Sequence, residues 1–301
     1  MDNDNLVKKK IASYYKNIKF KLNYIDRKVY GEEEGNLIIQ EELLAEKPFM
    51  CVRLGAVEAR CLFSWINNKS FSIKNIDSIH YAAGVFPQDE DTIKKFCRVY
   101  SDALKDTDCL GLWSVVGEKK IMEMFCPSSK LIPLRSIEPY YHKEPWSKLL
   151  KNKRVLVVHP FVESIRKQYE RREKIFSDNR ILPEFKELLL VKAIQSNAGS
   201  KSDFETWFDA LDYMKNEISK LEFDIAIIGA GAYGLPLASY VKSIGRQAIQ
   251  MAGSTQILFG IKGRRWDDHP IISNFYNEYW IRANTKETPP DINKVEGGSY
   301  W

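Results

Sequence analysis

Apolar residues in this chain fall into two rhythms. Short runs of four to six apolar positions alternate with longer stretches in which apolar residues recur every three or four places. The first rhythm predicts buried strands at 49–54, 109–116, 154–158, 224–228 and 247–251. The second predicts helices at 36–46, 55–67, 91–104, 118–125, 164–176, 204–220 and 235–244. Strands separated by helices in this order predict an α/β fold: an open, mostly parallel sheet with helices on both faces. Residues 31–283 form that domain. Residues 284–301, with Pro289-Pro290 and Gly297-Gly298, read as a polar C-terminal tail. Residues 1–30 stand apart as a basic amphipathic helix. Leu6, Ile11, Ile18, Leu22 and Ile25 recur there at helical spacing among Lys8, Lys9, Lys10, Lys16, Lys19, Lys21, Arg27 and Lys28. Such a helix packs on the body with its lysines in water, or lies on anionic lipid through residues 6–28.

Composition narrows the class. With 301 residues, 44% hydrophobic and 28% charged, the chain is globular, not disordered. A net charge of +5 suits anionic small molecules and is too small to argue for nucleic acid. The five cysteines form no CxxC pair and read as buried thiols of a reducing, cytoplasmic setting. The four histidines lack the spacing of a structural zinc site.

Ligands of open parallel sheets bind beyond the carboxyl ends of the strands, which nominates four places. The first is 53–58, where Arg53 and Glu58 flank Gly55 at a strand-to-helix junction. Glu58 there ligates a cation, takes a proton, or compensates the helix dipole with Arg53 as its ion-pair partner. The second is His159, a phosphate donor or base. The third is 229–234, a GxGxxG match with Gly229, Gly231, Tyr233 and Gly234 after a strand and before a helix. It reads as a close-packing turn, a diphosphate turn or a dinucleotide site. A nicotinamide site needs an acid at the end of the next strand, and Gln250-Met251-Ala252 supplies none, so NAD is not expected. The fourth is 252–266: Gly253, Ser254, Thr255 and Gln256, then Arg264 and Arg265, whose guanidinium groups match phosphate oxygens. Asp267 and Asp268 follow as reserve bases.

Taken in order, 53–58, 144–147, 157–161, 207–211, 223–237 and 253–266 make the chain similar to GT-D-type glycosyltransferases and related proteins of bacterial surface-polysaccharide biosynthesis. The resemblance covers about 30–280. It implies a nucleotide-sugar donor such as a UDP-sugar, a glycan acceptor that a basic N-terminal helix would suit if lipid-linked, and transfer with inversion. It also implies Mn²⁺ or Mg²⁺ on an Asp-x-Glu pair. Here Arg53, Gly55 and Glu58 match that segment, but Ala56 stands at the Asp position. The metal then falls to Glu58 alone, and without one the leaving diphosphate falls to Arg264, Arg265, His159 and the glycine-turn amides. An NAD(P)-dependent oxidoreductase, a non-catalytic partner in a polysaccharide assembly, and pyruvyl or phosphosugar transfer are the competing readings.

Overall fold

The computed structural model describes residues 20, 22–68, 70–197, 200, 202–289 and 296–301. Seven parallel strands form one open sheet in the order β3-β2-β1-β7-β6-β4-β5. They are β1 Phe49–Arg53, β2 Cys109–Leu112, β3 Lys130–Pro133, β4 Arg154–His159, β5 Glu187–Lys192, β6 Ile225–Ile228 and β7 Gln247–Gln250. The helices are α1 Glu32–Leu44, α2 Ala56–Asn68, α3 Ile73–Tyr81, α4 Glu90–Lys105, α5 Glu118–Phe125, α6 Val162–Tyr169, α7 Trp207–Ser219, α8 Gly234–Ser243 and α9 Thr255–Leu258. A two-stranded pair, β8 Ile261–Lys262 with β9 Ile281–Arg282, follows. The architecture is the Rossmann-like α/β fold that the alternation predicts.

Side chains of a strand alternate between faces, and here the alternation sorts the core into two layers. Met50 and Val52 of β1, Leu156 and Val158 of β4, and Ala226 and Ile228 of β6 join one cluster, with Phe96, Trp207 and Leu235 from α4, α7 and α8. Phe49, Cys51, Val155, Val157, Ile225 and Ile227 join the other, with Ile39 of α1, Trp146 and Ile165 of α6. Covered on both faces, the middles of the central strands β1, β4 and β6 are apolar on both sides, as a parallel sheet requires. All five cysteines are buried and unpaired by disulfides.

Several expectations need correction. The helix placed at 164–176 is α6, ending at Tyr169, followed by a separate 3₁₀ turn, Arg172–Lys174. Gln168 ends it: its side-chain amide donates to the carbonyls of Gly260 and Tyr279 while its oxygen accepts from Arg171. The strand placed at 109–116 stops at Leu112. There Glu118 accepts the backbone N–H groups of Trp113 and Ser114, and Ser114 takes a positive φ of 66°. Two strands and a helix, β3, β5 and α3, were not predicted: β3 is short and ends in Pro133, and β5, whose apolar run 188–191 lies between Glu187 and Lys192, is a part-exposed edge. The segment read as a polar tail folds back, with Glu287 and Trp301 buried. Most of the basic N-terminal helix lies outside the described residues. Of its end, Tyr24 donates to Glu118 and Asp26 pairs with Lys119, while Leu22 and Ile25 are exposed. Among the described residues no helix is long and apolar enough to cross a membrane.

Close approach of α1 to β3 supports the rim on which the site is built. A Cβ on Gly35 would lie 2.7 Å from Cβ of Ser136 and 2.9 Å from that of Ile132. On a free helix surface Gly→Ala stabilises by about 1 kcal/mol. Here Gly35→Ala is expected to reverse that sign and destabilise by about 1–3 kcal/mol through overpacking. The midpoint of urea unfolding reads this, and a raised midpoint would disprove the packing.

Candidate functional site

Parallel pairing puts every carboxyl end on one rim, and all seven strand ends border a single cleft of about 350 Å³. At the end of β1, the Arg53 N–H donates to Oε1 of Gln250 on β7 (3.1 Å), and its guanidinium to the Leu54 carbonyl (3.2 Å). That guanidinium lies 5.3 Å from the Trp113 ring, whose Nε1–H also donates to Leu54 O. Glu58, in the first turn of α2, is buried, and its carboxylate folds back so closely over Gly55 that any side chain there would overlap it. A carboxylate at a helix N-terminus is favoured by the dipole, and this one also lines the cleft.

Beyond β3 the chain makes three 3₁₀ turns, Leu134–Ile137, Pro139–Tyr141 and Trp146–Leu150. α1 fastens them. Asn36 donates to Glu144 O and accepts from Trp146 N, Gln40 donates to Glu144 O, and Ser136 donates to Glu32 O. Trp146 Nε1–H closes back on Ile137 O. Held this way, Glu138 enters the cleft beside Arg53 and Arg265. Burial pushes its carboxyl up to about 7, against the opposing pull of the Arg53, Arg135 and Arg265 charges. Sequence reasoning missed Glu138. Its signal was a carboxylate one short turn beyond the end of β3, a strand the sequence reading did not identify.

His159 ends β4 facing the glycine turn. Its Nδ1 accepts the Phe161 N–H (3.0 Å), which leaves the ring proton on Nε2. Burial lowers its pKa to about 3, so the imidazole is a neutral donor and not the base considered from sequence. Gly229 permits this crowding: a Cβ there would stand 2.5 Å from His159 Cδ2 and 2.7 Å from Thr255 Oγ1. Gly231, with φ of 52°, lines the cleft at the turn before α8. Tyr233 borders the cleft yet serves the core, stacked on Trp207 (4.7 Å) with its hydroxyl against Ser196. Gly234 lies behind the turn against Gln250.

After β7, Ala252 adopts a positive φ of 51°, a strained state for a residue with a side chain. Gly253 and Ser254 border the cleft, and Ser254 donates to Met251 O (2.6 Å). Thr255 is buried away from it, with no hydrogen-bond partner for its hydroxyl among the described residues. Gln256 donates to Ile261 O and Tyr300 O, tying down the segment that carries Tyr300 and Trp301 to the cleft. Arg265 lies 4.7 Å from the Tyr300 ring and 5.4 Å from the Trp266 ring, so two aromatic faces brace a guanidinium that borders the cavity. Arg264 is exposed and does not border it. Asp267 is engaged by Arg282 (2.8 and 2.7 Å) and Asp268 is exposed, so neither reserve base reaches the cleft.

Ala56 offers no ligand beside Glu58. Among the described residues no three or more His, Cys, Asp or Glu side chains gather to hold a metal ion. Glu58 thus stands as a single carboxylate where the resemblance implies a pair, and the roles below are assigned to side chains.

Two buried groups give opposite pH dependences. An unfolded chain protonates His159 below about 6.5, whereas the folded one refuses the proton down to about 3, so stability falls as pH drops through that window. The folded Glu138 carboxyl keeps its proton up to about 7, against 4.5 when unfolded, so stability falls as pH rises between those values. The slopes oppose each other where the windows overlap. Glu138→Gln is expected to remove its opposing slope, so that stability climbs more steeply than in wild type towards neutrality. Urea midpoints across this pH range decide it, and equal slopes in the two proteins would refute the assignment.

Comparison with known proteins gives little. No family model matches the chain, and no curated protein matches it. Among solved structures, the chain is similar to a selenomethionine-substituted domain of unknown function, DUF1792. The identity is 13%, coverage is 75% of this chain and 78% of that one, and the TM-score is 0.45. A likeness of that degree bears on neither activity nor substrate.

Proposed function

We propose that the cleft binds a nucleotide-activated sugar, a UDP-sugar in the first instance, and that the protein transfers the sugar to a glycan acceptor of a bacterial surface polysaccharide. The observation that carries this reading is the meeting of Arg53, Arg265 and Glu58 in one cavity at the carboxyl rim of the sheet. Two guanidinium groups from separate elements suit a diphosphate, which they grip through paired N–H donors. The neutral His159 Nε2–H and the turn amides around Gly231 add uncharged donors.

In this reading the acceptor hydroxyl attacks the anomeric carbon opposite the departing diphosphate, which inverts the configuration. Glu58 takes the hydroxyl proton as the new bond forms, since a neutral alcohol is a poor nucleophile. Arg53 and Arg265 receive the charge that develops on the diphosphate as its bond to the sugar breaks. The nicotinamide alternative is disfavoured by Gln250, whose side chain accepts the Arg53 N–H where a ribose-binding acid would stand.

Four measurements test the proposal. UDP-sugars are expected to raise the melting temperature and NAD⁺ is not; stabilisation by NAD⁺ alone would overturn it. Arg265→Ala should weaken donor binding by about 10–100-fold, with Lys at that position failing to restore it, since a lysine offers no planar fork. Glu58→Gln should bind donor as wild type does but lose about 10²–10⁴-fold in transfer rate. Transfer near the wild-type rate would remove Glu58 from its role. For a lipid-linked acceptor, exchanging Lys8, Lys9 and Lys10 for Glu should lower sedimentation with anionic vesicles and spare the reaction with soluble substrates; unchanged sedimentation would discard the membrane contact.

A further inference from the structure

Charge is distributed unevenly along the cleft. Among the described residues, the charged side chains that border it are Arg53, Glu58, Glu138 and Arg265. They gather on the side of β1, β2 and β3: Glu58 folds over Gly55 close to Arg53, and Glu138, beyond β3, feels the charges of Arg53 and Arg265. The opposite side lies past β5, four strand intervals from β1, or roughly 19 Å at the ordinary strand spacing. Gln195 and Asn197 border the cleft there, and among the described residues no charged side chain joins them. Ser196 fastens the segment between them: its hydroxyl donates to Gly84 O at 2.7 Å and stands 3.0 Å from the Tyr233 hydroxyl. Gly84, with φ of 73°, makes this approach possible, since a Cβ there would stand 2.8 Å from Asn197 N. Oδ1 of Asn197 is buried with no hydrogen-bond partner among the described residues. A buried acceptor without a donor is costly, and a ligand carrying an N–H can relieve it, whereas a phosphate brings only further acceptors.

We propose that Gln195 and Asn197 are the nucleobase-reading residues of the cleft: they take the uncharged uracil edge of the donor, whose diphosphate lies over β7 and β6 and whose sugar faces Glu58. This orientation rests on the nucleotide-sugar reading of the preceding section. A carboxamide carries an N–H pair beside a carbonyl oxygen, and the imide edge of uracil presents one N–H between two carbonyl oxygens, so the two edges are complementary. Polarity follows from the chemistry at the other end. Glu58 has to reach the acceptor hydroxyl, which puts sugar and acceptor at the charged side. The diphosphate then falls between the two arginines and the glycine turn, and the nucleoside extends towards β5. The competing orientation sets the base on the exposed Trp113 ring, which also borders the cleft. It would leave the sugar beside Gln195, at the far side of the rim from Glu58.

Isothermal titration of the full chain with UDP, 3-methyl-UDP and pyrophosphate tests this. A methyl group on uracil N3 removes the imide N–H and leaves the diphosphate intact. Wild type is expected to bind UDP about tenfold more tightly than 3-methyl-UDP. Gln195→Ala and Asn197→Ala should each weaken UDP about tenfold, leave pyrophosphate within about twofold, and together erase the preference for UDP over its methylated form. Equal wild-type affinity for UDP and 3-methyl-UDP would overturn the inference, and that comparison needs no variant to fold. Equal losses of UDP and pyrophosphate in the two variants would mark both residues as merely structural and overturn it too. So would a preference for UDP that survives both substitutions and disappears in Trp113→Ala, which would place the base at the charged side. In each of these cases binding of UDP and pyrophosphate leaves the nucleotide-sugar reading standing. Binding of neither would reject that reading and the inference together.

Discussion

Everything in the cleft hangs on parallel strand pairing. Parallel strands release all their carboxyl ends on the same side, so segments far apart in the chain finish within a few ångströms of one another. Arg53 and Gln250 illustrate it: nearly two hundred residues separate them, yet β1 and β7 are neighbours and a backbone N–H of one meets the side chain of the other. The two-layered core supplies the rigidity. With both faces of β1, β4 and β6 buried, a strand cannot slide without exposing a full row of apolar side chains.

Upon that frame the cleft manages charge by burial as much as by pairing. His159 is stripped of its charge and Glu138 is pushed towards neutrality, while the Arg53 and Arg265 guanidinium groups, held by aromatic rings and carbonyls, share the cleft with the Glu58 carboxylate. The result is a rim that favours an anion without a strong field over the whole protein, in keeping with a net charge of only +5. The strained Ala252 and the crowding at Gly229 sit at the same rim, where conformations that are costly elsewhere hold three strand ends together.

The motifs that resembled a glycosyltransferase family turn out to do two kinds of work. Gly55 and Glu58 form a cleft-lining junction, whereas the Glu144-Pro-Trp-Ser147 segment is a clamp. Its backbone and Trp146 bind Asn36 and Gln40 of α1, and this clamp sets the position of Glu138. Tyr233, in the middle of the glycine turn, likewise belongs to the core through Trp207. A motif in sequence thus marks a place where chain elements meet, and only geometry separates the contact residues from the fasteners.

The amino-acid sequence alone determined the fold class, because the periods of strand and helix are local and a strand buried on both faces must be apolar. It also nominated Arg53, Glu58, His159, the turn at Gly229 and Arg265, since each directly follows a recognisable strand or a run of glycines. It could not choose between Arg264 and Arg265, adjacent and chemically alike: the aromatic rings of Trp266 and Tyr300 decided that, and Tyr300 comes from a segment that reads as a tail. Nor could it find Glu138, or rule Asp267 out, or make His159 neutral. Those outcomes depend on burial and on partners distant in sequence, which exist only once the chain has closed on itself.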